Sequence, residues 1–137
     1  PSGQEPGIIL DFSDALTFQM ALASLSTNGS GREPSWDGPH EACNETLGLS
    51  WSGAPETRKY VVLFTDEHGQ SWDGLSELDV ATACYNNDVT FYGFIKFVHW
   101  HDFDDIAGMT GGAIYDLGTA SQMEEDLSEI FSDECWE

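Results

Sequence analysis

Lys59-Tyr-Val-Val-Leu-Phe-Thr65, followed at once by Asp66, is the stretch whose reading decides the fold. Its apolar core is unbroken rather than alternating, which predicts a central parallel strand covered on both faces. Downstream of Asp66 a loop runs to Ser76, which with Asp79 forms a capping box for a helix bearing Leu78, Ala81 and Tyr85. That helix is expected to end at Asn86-Asn87. Val89 to Phe97 reads as a second strand, Asp102 to Met109 as a short acidic helix and Gly112 to Leu117 as a last strand. Ser121 with Glu124 boxes the start of a final helix, on which Met123, Leu127, Ile130 and Phe131 face inward and the acids from Glu124 to Glu137 face water. Upstream, a turn-rich stretch covers Ser50 to Thr57, and a helix carrying Ala42, Cys43 and Leu47 tolerates Pro39 only in its first turn. The short apolar run Gly7-Ile-Ile-Leu-Asp-Phe12 predicts a buried strand. Ser13 or Asp14 then caps a helix striped by Phe18, Leu22 and Leu25, which stops near Ser26. Strands alternating with helices mean an open α/β sheet with right-handed crossovers.

The 137 residues have the size of one compact domain. Four Lys+Arg stand against 25 Asp+Glu, a formal net charge of −21, so nucleic-acid phosphates and anionic lipid surfaces would repel the chain. With 12% aromatic residues and several apolar runs, the acid excess is read as the skin of a folded domain rather than as disorder. Such a skin suits divalent cations, a basic partner or a salty medium. No apolar stretch approaches the roughly 20 residues of a membrane-spanning helix, so no membrane insertion is expected. The opening Pro1-Ser2-Gly3-Gln4 has neither an initiator Met nor a signal-peptide pattern, and the chain is expected to be processed or cut from something longer.

Cys43, Cys84 and Cys135 lack metal-site spacing, leaving one disulfide plus one unpaired thiol, or three buried free thiols. Asn28-Gly-Ser30 and Asn44-Glu-Thr46 fit the N-glycosylation acceptor pattern, which needs a surface position in the secretory pathway. An extracellular or cell-surface glycoprotein is the expectation. Trp36 and Trp100 are expected to cover the edge of the core, and Trp51, Trp72 and Trp136 to be available at an interface.

In open α/β sheets ligands bind beyond the carboxyl ends of the strands, where Asp66 is the best-placed carboxylate. The loop Gly29-Ser-Gly-Arg-Glu-Pro-Ser35 adds hydroxyl, carboxylate and backbone N–H groups at a helix start. Hydroxyl and carboxylate oxygens with water are what Mg²⁺ or Ca²⁺ accepts. The bland alternative for Asp66 is a turn or capping residue. Asp66-Glu67-His68, Cys84 and the pair His99 and His101 support a rival reading as a metal-dependent hydrolase. If the strand continues through His99-Trp100-His101, both imidazoles point the same way. Two histidines are more often a surface pair, and neither a Gly-x-Ser-x-Gly nor a phosphate-loop pattern is present. The chain is therefore read as a binding protein with no catalytic residues.

Four segments in register carry a resemblance: Gly31-Arg-Glu-Pro-Ser-Trp-Asp37, Arg58-Lys-Tyr-Val-Val-Leu-Phe-Thr-Asp-Glu67, Val89-Thr-Phe-Tyr-Gly-Phe-Ile95 and Phe103-Asp-Asp-Ile-Ala-Gly-Met-Thr-Gly-Gly-Ala-Ile-Tyr-Asp116. Their order and spacing, from Gly7 to Phe131, resemble the C-terminal two-thirds of a von Willebrand factor A-type domain. The resemblance implies a Rossmann-like, mostly parallel sheet with helices on both faces. It also implies a metal-ion-dependent adhesion site, at which Mg²⁺ or Ca²⁺ bridges the domain to an acidic group of a protein ligand. Asp66 matches the Asp of the family's third metal loop, Ser35 the hydroxyl or acid of its second loop, and Glu33 a less constant acidic position.

The family's first metal loop, Asp-x-Ser-x-Ser, has no proper counterpart. Asp11-Phe-Ser13 echoes it, but Ala15 occupies the last hydroxyl position. If Gly7 to Phe12 is the family's first strand, Asp11 and Ser13 are metal ligands and the domain has lost a helix and two strands. If it is the third strand, the reading preferred here, the missing elements lie outside this chain. The resemblance then implies a gap in the sheet beside Tyr60 to Thr65, and unpaired edges there call for another polypeptide, a cleavage product or a subunit. Cys135 could pair with a cysteine on that segment. The chain is thus one domain or its C-terminal portion, with a leader at 1–6, the matched region at 7–131 and an acidic tail at 132–137. It is expected to act as an adhesion or structural-assembly module, its alternative being a structural subunit with a dead metal site.

Overall fold

The computed structural model describes residues 34–44 and 59–135. The strand and helix expected over Gly7 to Ser26, and the leader at 1–6, lie outside them. Three parallel strands, β1 (Lys59–Thr65), β2 (Val89–Ile95) and β3 (Ala113–Asp116), form a sheet in the order β1-β2-β3. Lys59 pairs with Val89, Thr65 with Ile95, and Ile95 with Asp116, so the three carboxyl ends lie level. Parallel neighbours need a long crossover, and a helix occupies each one. Helix α1 (Asp37–Cys43) precedes β1, and α2 (Glu77–Asn86) joins β1 to β2. A 3₁₀ turn (Phe97–Asp102) and α3 (Asp104–Thr110) join β2 to β3, and α4 (Ala120–Cys135) follows. This is a small open α/β sheet.

The period of two along each strand sorts its side chains onto two faces. Val61 and Leu63 of β1, Val89, Phe91 and Ile95 of β2 and Ile114 of β3 pack with Cys43, Val80, Ala81, Cys84, Phe103 and Ile106 from α1, α2, the 3₁₀ turn's end and α3. The rings of Phe91 and Phe103 stack nearly parallel there, with centroids 6.4 Å apart. A Cys43–Cys84 disulfide ties α1 to α2 on this same face. On the other face Tyr60, Val62, Tyr92, Phe94 and Tyr115 meet Met123, Leu127 and Ile130 of α4. Helices therefore cover both faces, and the expected inward residues of α4 are in place; the side chain of Phe131 lies outside the described residues. The acids Glu124, Glu125 and Glu129 are exposed.

Several boundaries moved for identifiable reasons. The capping box of α2 forms as expected: Ser76 Oγ accepts from the Asp79 N–H at 3.2 Å, and Asp79 Oδ2 accepts from the Ser76 N–H at 2.8 Å. The buried stripe of α2 is Val80, Ala81, Ala83 and Cys84, whereas Leu78 and Tyr85 are 62% and 60% exposed. The small residues let the helix approach the sheet closely, and Cys84 must point at Cys43. Strand β2 stops at Ile95 because Lys96 turns into the 3₁₀ segment. At α4 the cap is Thr119, whose Oγ1 accepts from the Gln122 N–H at 3.2 Å, two residues ahead of the expected Ser121. Gly112 has a steric reason to be glycine, since a Cβ there would sit 1.7 Å from the Phe91 carbonyl oxygen. Without it β3 could not lie against β2.

Candidate functional site

The level carboxyl ends of the three strands open onto the loop after β1, the 3₁₀ turn after β2 and the residues leading into α1. A set of buried polar groups welds these pieces together. Ser35 Oγ donates to the His68 carbonyl at 2.7 Å and accepts from the Gln70 N–H at 3.3 Å, while the Trp36 N–H donates to the Gln70 carbonyl at 3.0 Å. Asp37, almost fully buried, accepts the Ser71 hydroxyl on one carboxylate oxygen and the Trp72 N–H at 3.0 Å on the other. A buried carboxylate without such donors would be strongly penalised, so Asp37 fixes the loop rather than serving a ligand.

Trp36 carries the connection on to the third piece. Its Nε1–H donates to the Asp102 carbonyl at 3.1 Å, and its ring lies so close to Gly69 that a Cβ there would be 2.3 Å from the indole. The Gly69 N–H in turn donates to Asp102 Oδ2 at 2.7 Å. Trp100, at the other side of the turn, donates its Nε1–H to the Ile95 carbonyl at 2.7 Å. Both tryptophans pack at the core edge as expected, and Trp72 is half-buried.

On this braced platform Asp66 is exposed immediately past β1. The next turn is closed by the Glu67 N–H, which donates to Thr65 Oγ1 at 3.0 Å. The loop containing Asp66 and the residue Ser35 are thus joined by direct hydrogen bonds, through His68 and Gln70. Ser35 has spent its proton and one lone pair on the backbone and keeps one lone pair. Asp66 and Ser35 fit a hard oxygen-seeking cation in the kind of donor they offer. Glu33, Asp11 and Ser13 lie outside the described residues. So do Asn28, Trp51, Trp136 and the side chain of Cys135. Asn44 is exposed at the C-terminal end of α1.

The histidines fall differently from the expectation that His99 and His101 point together. The strand has ended, and two residues along a 3₁₀ turn lie on different sides. His101 turns to Asp102, with Nε2 3.3 Å from Oδ1. His99 meets His68 from the neighbouring loop, ring centroids 5.9 Å apart and tilted by 55°. Among the described residues no three His, Cys, Asp or Glu side chains converge to hold a metal, and no helix is long and apolar enough to cross a membrane. A separate cleft of about 470 Å³ lies at the amino end of β2, lined by Tyr85, Asp88, Thr90 and Met109 among others. It is remote from the carboxyl-end loops.

The sequence reading missed the bracing set, Trp36, Asp37 and Asp102. Trp36 and Asp37 directly follow Ser35, but their partners are 34 to 66 residues away, and no local period announces such a pairing. No protein-family model, curated protein or solved structure matches this chain.

Proposed function

We propose that this chain is an extracellular protein-binding module of the von Willebrand factor A type, used in adhesion or assembly, with its ligand face at the carboxyl ends of the strands. The observation that supports this reading is the junction of the Asp66 loop with Ser35, through the Ser35 hydroxyl and the backbone of His68 and Gln70. Those are the two loops at which the resemblance implies metal ligands. In this reading Asp66 holds Mg²⁺ or Ca²⁺ and Ser35 reaches it directly or through water. When bound, the ion supplies positive charge on a strongly anionic surface, where an acidic ligand group is otherwise repelled. Asp37, Trp36 and Asp102 hold the loops in position. No residue acts catalytically.

Calorimetric titration with Mg²⁺ and Ca²⁺ tests it: affinity in the wild type that falls more than about tenfold in Asp66→Ala is expected. Equal affinity in the two proteins overturns the metal role. A second reading, a structural subunit without a metal, is favoured by the use Ser35 already makes of its hydroxyl within the loop. It is distinguished by partner binding that survives both chelation and Asp66→Ala. In both readings another polypeptide extends the sheet. Native mass spectrometry of material from its source should then find this chain with a companion, and a lone monomer would remove that part of the proposal.

A further inference from the structure

We propose that His68 and His99 form a site for a transition-metal ion of the Zn²⁺ class. This goes beyond the hard-cation reading of Asp66 and does not depend on it. The two imidazoles come from separate loops, 31 positions apart in the sequence (99 minus 68), yet their centroids lie 5.9 Å from each other. Two imidazoles on one tetrahedral Zn²⁺, with Zn–N near 2.0–2.1 Å, place their centroids about 5 Å apart. Binding requires the rings to come about 1 Å closer than they stand. At a 55° tilt the two rings are not stacked on each other.

The backbone under each ring is held independently of any ion. The His68 carbonyl accepts the Ser35 hydroxyl, and the adjoining Gly69 N–H is fixed by Asp102. The His99 N–H donates to the Lys96 carbonyl at 2.8 Å inside the 3₁₀ turn, and Trp100 anchors the next residue to Ile95. Backbone already held in this way is not ordered again on binding, which favours affinity. His68 is exposed and His99 half-buried, so an ion can enter from solvent. Neutral imidazole nitrogen selects Zn²⁺, Ni²⁺ or Cu²⁺ over Mg²⁺ and Ca²⁺, which prefer oxygen. Water, or an acidic group of a bound partner, completes the coordination. The remaining histidines of the chain are placed otherwise: His101 faces Asp102, and His40 Nε2 lies 3.2 Å from Asn44 Nδ2. An ion at this site would clip the loop after β1 to the turn after β2.

The test uses the full chain, titrated with Zn²⁺ by calorimetry in excess Mg²⁺ while the imidazole C–H signals of the histidines are followed by NMR. One ion should bind per chain, moving the signals of His68 and His99 and leaving those of His40 and His101 in place. His68→Ala and His99→Ala should each weaken Zn²⁺ more than about tenfold and abolish the rise in melting temperature that Zn²⁺ gives the wild type. His101→Ala should bind as the wild type does. Because Asp66→Ala is read with Mg²⁺ and the histidine variants with Zn²⁺, either reading can fail alone. Full Zn²⁺ affinity in both His68→Ala and His99→Ala overturns the proposal. So does an equal loss in His101→Ala, or movement of all the histidine signals together.

Discussion

The two faces of the sheet are built from equally apolar strands and end in different states. One is sealed by α1, α2 and α3, closed by a disulfide, and carries Phe91, Phe103 and Ile106 with no accessible surface. The other meets α4, buries Phe94 and Ile130, and leaves Phe64 of β1 50% exposed although its ring stacks on Phe94 at 4.8 Å. Side-chain hydrophobicity does not explain the contrast, since Phe64 and Phe91 are the same residue. What differs is the number of described helices that reach the strand. Burial is decided by the covering layer, and a strand shows only that it is able to be covered.

Mutations that separate the faces should therefore differ in size. Phe91→Ala is expected to cost about 3–5 kcal/mol in urea denaturation, because the cavity would open between the sheet and α3. Breaking the clip with Cys43→Ser and Cys84→Ser together should cost roughly 2–4 kcal/mol, since the bond closes a 41-residue separation in the unfolded chain. Ser76→Ala, which removes the cap of α2, should lower stability by about 1 kcal/mol. Phe64→Ala, on the thinly covered face, is expected at about 1 kcal/mol or less. A loss at Phe64 equal to that at Phe91 would erase the distinction and mean that another layer covers β1.

The smallest effect concerns pH and lies on the sealed side. Burial between α2 and α3 raises the Glu77 carboxyl above its ordinary value, although Oε2 accepts the Asp105 N–H at 2.8 Å. Its ionised form therefore burdens the fold above that raised value, and the burden lifts as pH falls through it toward the unfolded value. Asp79 has the opposite sign, lowered by hydrogen bonds from the Ser76 backbone and side chain. Its contribution is present above the ordinary aspartate range and is lost as pH falls through the depressed value. Glu77→Gln keeps an oxygen to accept the Asp105 N–H and should be neutral to slightly stabilising at pH 7. Melting curves of the two proteins should converge on acidification, and a constant difference would contradict this assignment.

The sequence made the strands, the order of elements and the Ser76–Asp79 box legible because each rests on neighbours close in the chain. It also pointed at β1 as the central, doubly covered strand. Among the described residues the centre is β2, whose residues are buried at every position but Thr90, whereas most of β1 is half-buried. An apolar run records capacity for burial and not the strand's place in the order. Of the apolar residues singled out on α2 only Ala81 is buried, while Leu78 and Tyr85 are exposed, because small residues take the face of close approach. The places of Asp66 after a strand and of Ser35 before a helix were legible, because both are local. The His68–His99 meeting was not, because it depends on β2 ending at Ile95 and on where two loops come to rest.

Trp36 gives the molecule an optical readout of its own rim. Its indole is wedged against Gly69 and hydrogen-bonded to Asp102, so it touches both the loop after β1 and the turn after β2, where the proposed ions would sit. A displacement of either loop is expected to change the solvent around that ring and with it the emission colour. Trp36→Phe would darken that signal, at the expense of the Asp102 bond. Difference spectra between the two proteins would then follow occupancy of the rim in real time without an attached dye.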